Sequence, residues 1–136
     1  MQDNTIADEL LRLNQRLLQS IAERDWSTYQ ELSDPSLTAF EPESAGHLVK
    51  GLDFHAFYFQ LGGGRSAQNT TMCAPCVRLL GEKGDVAIVA YVRLTQHADP
   101  TGTPITVAME ETRVWERQSG KWRHVHFHRA GSERNG

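Results

Sequence analysis

The 136-residue chain has few cysteines, little net charge and no long apolar run. No apolar stretch approaches the roughly 18 residues that a membrane-spanning helix needs, and no basic leader precedes one, so neither a membrane partner nor a secretory signal is expected. Two cysteines are too few for a disulfide framework, which favours reduced thiols and a cytoplasmic location. A net charge of −3 lacks the basic excess that a phosphate backbone requires, which argues against nucleic acid as a partner.

The first third of the chain carries helix patterns. Apolar residues recur at spacings of three and four over residues 5–22, which predicts a long amphipathic helix. Asp25 is placed to cap a short second helix, which the Asp34-Pro35 step would end. A short strand is predicted after it, over residues 37–41.

The aromatic residues of segment 54–61 fit either a strand or a helix. The spacing of Phe54, Tyr58 and Leu61 matches one helix face slightly better, so a third helix is predicted. Gly62-Gly63-Gly64 then reads as a flexible loop.

From residue 69 onward, strand-like runs alternate with turn signals. Four strands are predicted, over residues 70–80, 86–97, 105–117 and 121–129. Helices followed by a meander of strands indicate an α+β domain with one antiparallel sheet, and we expect residues 1–136 to form that single domain. A sheet of this length must twist, and the helices can cover its concave face.

Three arginines fall on largely apolar faces of three neighbouring strands. Because residues two apart share a face, Arg93, Arg113 and Arg129 are predicted to converge inside the curved sheet. Glu111 is the one obvious internal partner, and it cannot neutralise three cations, so the surplus charge predicts a bound anion such as a carboxylate or phosphate. The alternative is that each arginine lies near a strand end and reaches solvent or a surface carboxylate, since arginine is rarely fully buried.

Two other patterns invite chemical interpretations. His124, His126 and His128 alternate along one strand and would share a face, where two histidines can bind zinc; a packed or interface face whose assembly responds to pH is the favoured alternative. The segment Cys73-Ala74-Pro75-Cys76 looks like a redox motif, but it lies in a predicted strand and not at a helix N-terminus, so redox chemistry is disfavoured. No metal or cofactor is predicted.

Several longer motifs resemble those of a known family. They are Thr38-Ala39-Phe40-Glu41-Pro42-Glu43, Gly51-Leu52-Asp53-Phe54-His55 with Phe57-Tyr58-Phe59, Glu110-Glu111-Thr112-Arg113-Val114-Trp115, Gly120-Lys121-Trp122 and Val125-His126-Phe127-His128-Arg129. In their order and spacing, from about residue 5 to 131, these motifs resemble the association (hub) domain of calcium/calmodulin-dependent protein kinase II.

The resemblance implies a fold and a role. The fold would be the cone of the nuclear-transport-factor-2-like superfamily, with a long N-terminal helix packed in a strongly curved antiparallel sheet. The role would be homo-oligomerisation, in which dimers close into two stacked rings, typically of six or seven subunits each. Because the chain shows no kinase catalytic segment, it is not expected to be an enzyme.

The resemblance also implies a site. The family's cavity arginines match Arg93, Arg113 and Arg129, a family histidine matches His55, and weaker candidates for the lining are Tyr29, Tyr58 and Glu111. A small organic carboxylate is the ligand this implies. The alternative is an isomerase-, dehydratase- or cyclase-like enzyme of the same superfamily, with His55 and Asp53 as its acid–base pair, although no second positioned group or nucleophile is evident.

Overall fold

The computed structural model describes residues 2–61 and 68–131, with side chains from residue 5 onward; the predicted loop at Gly62-Gly63-Gly64 lies outside these ranges. None of the helices described is long and apolar enough to cross a membrane. The helices are α1 (Gln2–Glu23), α2 (Trp26–Leu32) and α3 (Asp53–Gln60), and a 3-10 turn covers Pro42–Ser44. The strands are β1 (Ser33–Phe40), β2 (Val49–Lys50), β3 (Asn69–Leu80), β4 (Val86–Ala98), β5 (Pro104–Gln118) and β6 (Lys121–Gly131).

The strands form one sheet in the order β2-β1-β6-β5-β4-β3. The last four strands make the predicted antiparallel meander, and β2 pairs antiparallel with β1. The pair β1–β6 is parallel, a feature that the sequence did not show. The predicted α+β class is confirmed. Helix α1 packs on β3 and β4, while α2 packs on β1 and β6, so both cover the inner face of the sheet.

A buried polar residue on the inner stripe of α1 fixes the helix against the sheet. Leu10, Leu17 and Leu18 are fully buried on this stripe, as the spacing of apolar residues predicts. Asn14 lies among them, and its Oδ1 accepts a hydrogen bond from Trp115 Nε1 of β5 at 2.9 Å. Since a buried indole N–H without an acceptor costs about 1–3 kcal/mol, this bond favours one position of α1 along the sheet.

Two boundaries near the second helix differ from the prediction. Strand β1 begins at Ser33, directly after α2, so the Asp34-Pro35 step lies inside a strand and does not terminate the helix. The pairing of β1 with β6 is interrupted between Ser33 and Thr38, and Pro35 occupies that interruption. A proline fits there because it has no N–H to donate to the ladder. The helix predicted for residues 54–61 is confirmed by α3.

A bulge in β6 changes which side chains face inward. Val114 pairs with His126 and Trp115 pairs with His124, so Val125 is an extra residue. The inward alternation therefore restarts after the bulge, because one inserted residue reverses the faces of a strand.

The predicted common face of three histidines is wrong for this reason. His124 lies before the bulge and is fully buried on the inner face. His126 and His128 lie after it on the other face, where the Phe40 ring packs against both. In residues 2–61 and 68–131, no group of three His, Cys, Asp or Glu side chains is placed to hold a metal ion.

Candidate functional site

A buried carboxylate, Glu111 of β5, is the centre of a polar network on the inner face. Its Oε2 accepts a hydrogen bond from Arg93 Nη1 at 2.9 Å. Its Oε1 accepts from Arg113 Nε at 3.1 Å and from the Tyr91 hydroxyl at 2.5 Å. The Glu111 side chain has no exposed surface and that of Arg113 is 1% exposed, so the pair is shielded from water.

The register of two neighbouring strands brings these groups together. Tyr91 of β4 lies directly opposite Glu111, and Arg93 lies opposite Met109, one diagonal step away. Arg113 is two residues from Glu111 on the same strand and therefore shares its face. Cross-strand and diagonal neighbours are within reach of long side chains, so simple alternation accounts for this cluster.

The electrostatics keep the cluster ionised. Burial alone would raise the pKa of the Glu111 carboxyl, but Arg113 and Arg93 hold it below its usual range. Burial would also lower the pKa of Arg113. The negative charge of Glu111 outweighs this effect of burial, so the pKa of Arg113 is raised. Burial is the main cause that raises the pKa of Tyr91 to about 12, so its hydroxyl stays a hydrogen-bond donor.

The guanidinium of Arg113 also fixes the state of His124. Arg113 Nη1 lies 3.2 Å from His124 Nε2, and a guanidinium can only donate, so Nε2 accepts and the ring proton is on Nδ1. Burial, followed by the charge of Arg113, holds the pKa of His124 well below its ordinary 6.5. His124 is therefore neutral in the folded protein. Beside it, Arg113 Cζ lies 4.3 Å from the centre of the Phe127 ring.

Arg129 at the end of β6 belongs to a second cluster. Its Nη2 donates to Glu41 Oε1 at 3.0 Å and to Glu43 Oε1 at 2.6 Å. The other oxygen of Glu41 is hydrogen-bonded to His55 Nε2. Although burial opposes it, the hydrogen bond from His55 helps to hold the pKa of the Glu41 carboxyl below its usual range.

These contacts correct the expected surplus of positive charge. The sequence argument found only Glu111 as an internal partner, but Glu41 and Glu43 add two carboxylates, so three arginines face three acids. Sequence reasoning missed both acids because the parallel pairing of β1 with β6 places them beside Arg129. A cavity that is already balanced does not by itself require a bound anion.

A cavity of about 190 Å³ lies between these clusters and the helices. That is the volume of roughly six water molecules, enough for a small organic molecule. Its lining contains six of the seven residues predicted for the site, while Glu111 lies behind Arg93 and Arg113. The lining residues are Ile21, Tyr29, Glu41, Glu43, His55, Tyr58, Phe59, Arg93, Arg113, Phe127 and Arg129.

The acid–base pair considered for an enzyme is not formed as predicted. Asp53 is exposed at the start of α3, whereas His55 is buried and bonded to Glu41. Tyr29 is buried against the histidine, with ring centres 6.0 Å apart, and burial raises its pKa. Tyr58 is 39% exposed, so the two predicted tyrosines occupy very different surroundings.

Comparison with solved structures identifies the fold. The nuclear-transport-factor-2-like protein from Salmonella enterica aligns with a TM-score of 0.77 at 22% identity, covering 98% of this chain and 96% of that one. The chain therefore has the cone-shaped fold of that superfamily, as the resemblance implied.

The chain belongs to the calcium/calmodulin-dependent protein kinase II association-domain family, whose model matches residues 6–133. It is similar to the hub homology domain of the Chlamydomonas reinhardtii kinase II, with a TM-score of 0.88 and 46% identity over 94% of this chain and 99% of that one. It is 48% identical to the rabbit (Oryctolagus cuniculus) kinase type II delta subunit over 126 residues, 91% of this chain and 23% of that protein. The chain thus spans about a quarter of the curated relatives that it matches.

Replacing Glu111 by glutamine should destabilise the fold strongly. The change keeps the shape but leaves two buried guanidinium groups without their shared charge, so we expect the free energy of unfolding to fall by about 3 kcal/mol. The matched control is Glu31→Gln, because Glu31 pairs with Arg16 at 3.3 Å on the surface and should change stability by less than about 0.5 kcal/mol. Urea denaturation measures both; equal losses would contradict a central role for Glu111.

The state of His124 predicts a loss of stability in mild acid. As the pH falls below 6.5, the unfolded chain binds a proton at this residue and the folded chain does not. The free energy of unfolding should therefore fall by up to about 1.4 kcal/mol per pH unit from this group. Denaturation at pH 7.5 and 5.5 should show a smaller decrease for His124→Gln than for the unmodified chain or for exposed His128→Gln; identical decreases in all three would refute the assignment.

Proposed function

We propose that this chain acts as a single self-association unit, a hub whose copies pair as dimers and close into two stacked rings. The observation that carries the proposal is the match to an association domain along nearly the whole chain, at 46% identity to a hub homology domain of almost equal extent. We propose further that it works without catalysis, in a reducing, cytoplasmic compartment. The interfaces between copies would then be its function.

The outer face of the sheet supports this proposal. On the strands that carry the inward arginines, the outer face presents both apolar and charged side chains, among them Val92, which is 38% exposed, and Glu110, which lies opposite it. A shallow depression beside Val92 is lined by Ala108 and Ala130 of the neighbouring strands, among others. In a dimer the contact would extend well beyond this depression, because a stable dimer needs about 800 Å² of complementary surface per partner.

The ring predicts a large particle of discrete mass. Native mass spectrometry should show an even number of 15.3 kDa subunits in a single closed assembly, since closed symmetry limits growth. Val92→Glu should reduce the particle to smaller species, because it places a second carboxylate directly opposite Glu110 in the outer face. Leu48→Glu is the matched control, since Leu48 is 41% exposed but lies outside the strands, and its particle should keep its mass.

Two results would count against these statements separately. A lone subunit or simple dimer of the unmodified chain at micromolar concentration would contradict the ring. An intact ring in Val92→Glu would contradict only the role given to the outer face.

We propose as a second function that the cavity accepts a small organic carboxylate at Arg129. Arg93 and Arg113 are both held by Glu111, whose side chain is fully buried, so they are already committed. Arg129 differs, because one of its two acids, Glu43, is 40% exposed and can turn into water. A ligand carboxylate that replaces Glu43 keeps the charge balance and gains the fork of donors that a guanidinium offers.

Acetate and propionate should raise the melting temperature if this proposal holds. At ten times Kd, a ligand that binds only the folded chain adds about 1.4 kcal/mol of stability. Glu43→Gln should bind the same acids more tightly, since the competing carboxylate is gone, and Arg129→Gln should lose the effect. Arg117→Gln is the control, because Arg117 pairs with Asp85 away from the cavity.

The measurement needs constant ionic strength, with chloride replacing the acid in the reference samples. An equal shift in Arg129→Gln and the unmodified chain would show that the acids act elsewhere.

An enzyme of the cone superfamily remains the alternative function, favoured by one observation: the buried Glu41–His55 pair lines the cavity. Turnover of a small molecule that is lost in His55→Ala would support that alternative.

A further inference from the structure

The segment Cys73-Ala74-Pro75-Cys76 crosses a bulge in β3, a strand at the edge of the sheet. Cys73 pairs with Val92 and Cys76 pairs with Ala90, so three steps along β3 match two steps along β4. Ala74 has a φ of 50°, in the left-handed region, and Pro75 has no N–H that the ladder would lose. The segment is therefore irregular where a plain strand was predicted.

The bulge places both thiols on one face of the sheet. The inward residues on either side are Met72 and Val77, which pack against the core. Cys73 is next to Met72 and Cys76 is next to Val77 along the strand, so each cysteine faces outward. In a regular strand, two residues three apart would face opposite ways.

The bulge also shortens the gap between the thiols. Three regular steps would separate their Cα atoms by about 10 Å, while two steps of the partner strand span about 7 Å. Disulfides form at Cα separations up to about 6.8 Å and Cβ separations of about 3.5–4.5 Å, so the backbone of the bulge must close by a few ångströms to join them. Both cysteines are free; Cys76 is exposed and Cys73 is partly buried.

We propose that Cys73 and Cys76 form a reversible dithiol–disulfide site, oxidised by a low-molecular-weight disulfide such as glutathione disulfide. This site lies outside the cavity, at the β3 edge of the outer face and beside Val92, so its access to glutathione disulfide rests on the proposed assembly leaving that edge uncovered. The sequence argument against redox chemistry rested on a strand position without the helix N-terminus that activates such motifs; the bulge adds a shared outward face for the two thiols, which a regular strand would not give. Exposure assigns the order of events, because the more accessible thiol reacts first.

The reaction has two exchange steps. The Cys76 sulfur, after losing its proton, attacks glutathione disulfide, forms a mixed disulfide and releases one glutathione thiolate. The Cys73 thiolate then attacks the Cys76 sulfur, forms the internal disulfide and releases the second glutathione thiolate. Two protein thiols are oxidised by two electrons, and one glutathione disulfide is reduced to two glutathiones.

Mass spectrometry of the whole chain, alkylated after exposure to glutathione disulfide, tests the site. The unmodified chain should become two hydrogens lighter and carry no adduct, and a dithiol reductant should reverse the change. Cys73→Ser should instead hold one glutathione, because its mixed disulfide at Cys76 has no second thiol to resolve it. Cys76→Ser should gain its adduct several-fold more slowly, since the remaining thiol is partly buried.

Three outcomes would overturn the proposal. One is a stable glutathione adduct on the unmodified chain, which would show that the two sulfurs cannot meet. Another is a disulfide between two copies on a non-reducing gel. The third is equal adduct formation by the two serine variants, which would refute the assigned order. The unmodified chain decides the first two, so they hold whether or not a variant folds.

Discussion

The carboxylate of Glu111 is the group on which the inner face of the sheet depends. Two arginines inside an apolar surface would cost several kcal/mol each if unpaired, and Glu111 binds both while Tyr91 donates to the same carboxylate. Through Arg113 its influence reaches His124 and the Phe127 ring. One acid thus allows two of the three arginines to lie inside the cone at a lower cost.

The two clusters around the cavity differ in how firmly they are held. Around Glu111, the acid and Arg113 are almost completely buried, so no solvent competes for their hydrogen bonds. Around Arg129, the side chain of Glu41 is 5% exposed and that of Glu43 is 40% exposed. This gradient separates a structural part of the network from a part that can exchange partners. For the proposed carboxylate site, it favours the end of β6 over its centre.

The sequence predicted what local pairing controls and missed what distant pairing controls. Arg93 and Arg113 follow from alternation within an antiparallel meander, where the register is set by short turns. Arg129 faces inward as alternation predicts because it follows the bulge of β6, together with Phe127, whereas His124 precedes the bulge and was misplaced. A bulge adds one residue without a compositional signal.

The missing acids have a similar explanation. Glu41 and Arg129 are 88 positions apart and meet only because β1 joins β6 in parallel. No periodicity within either segment reports such a pairing, so the sequence overestimated the free positive charge. The hydrophobic pattern alone predicted the helices and the four long strands. The charge balance of the site could be seen only once the pairing of the strands was known.

The same strands serve the cavity and the proposed interface, which links the two functions physically. On β6, Arg129 turns toward the cavity while its neighbour His128 turns outward, against Phe40. A ligand can alter the assembly only if it binds one packing of subunits better than another. Exchange of Glu43 for a ligand would meet that condition if it changed the path of the Pro42–Ser44 turn, which is joined to β1 and so to the outer face. Binding of the ligand at Arg129 would then affect the outer face through β6 and the Pro42–Ser44 turn, without a change in the helices.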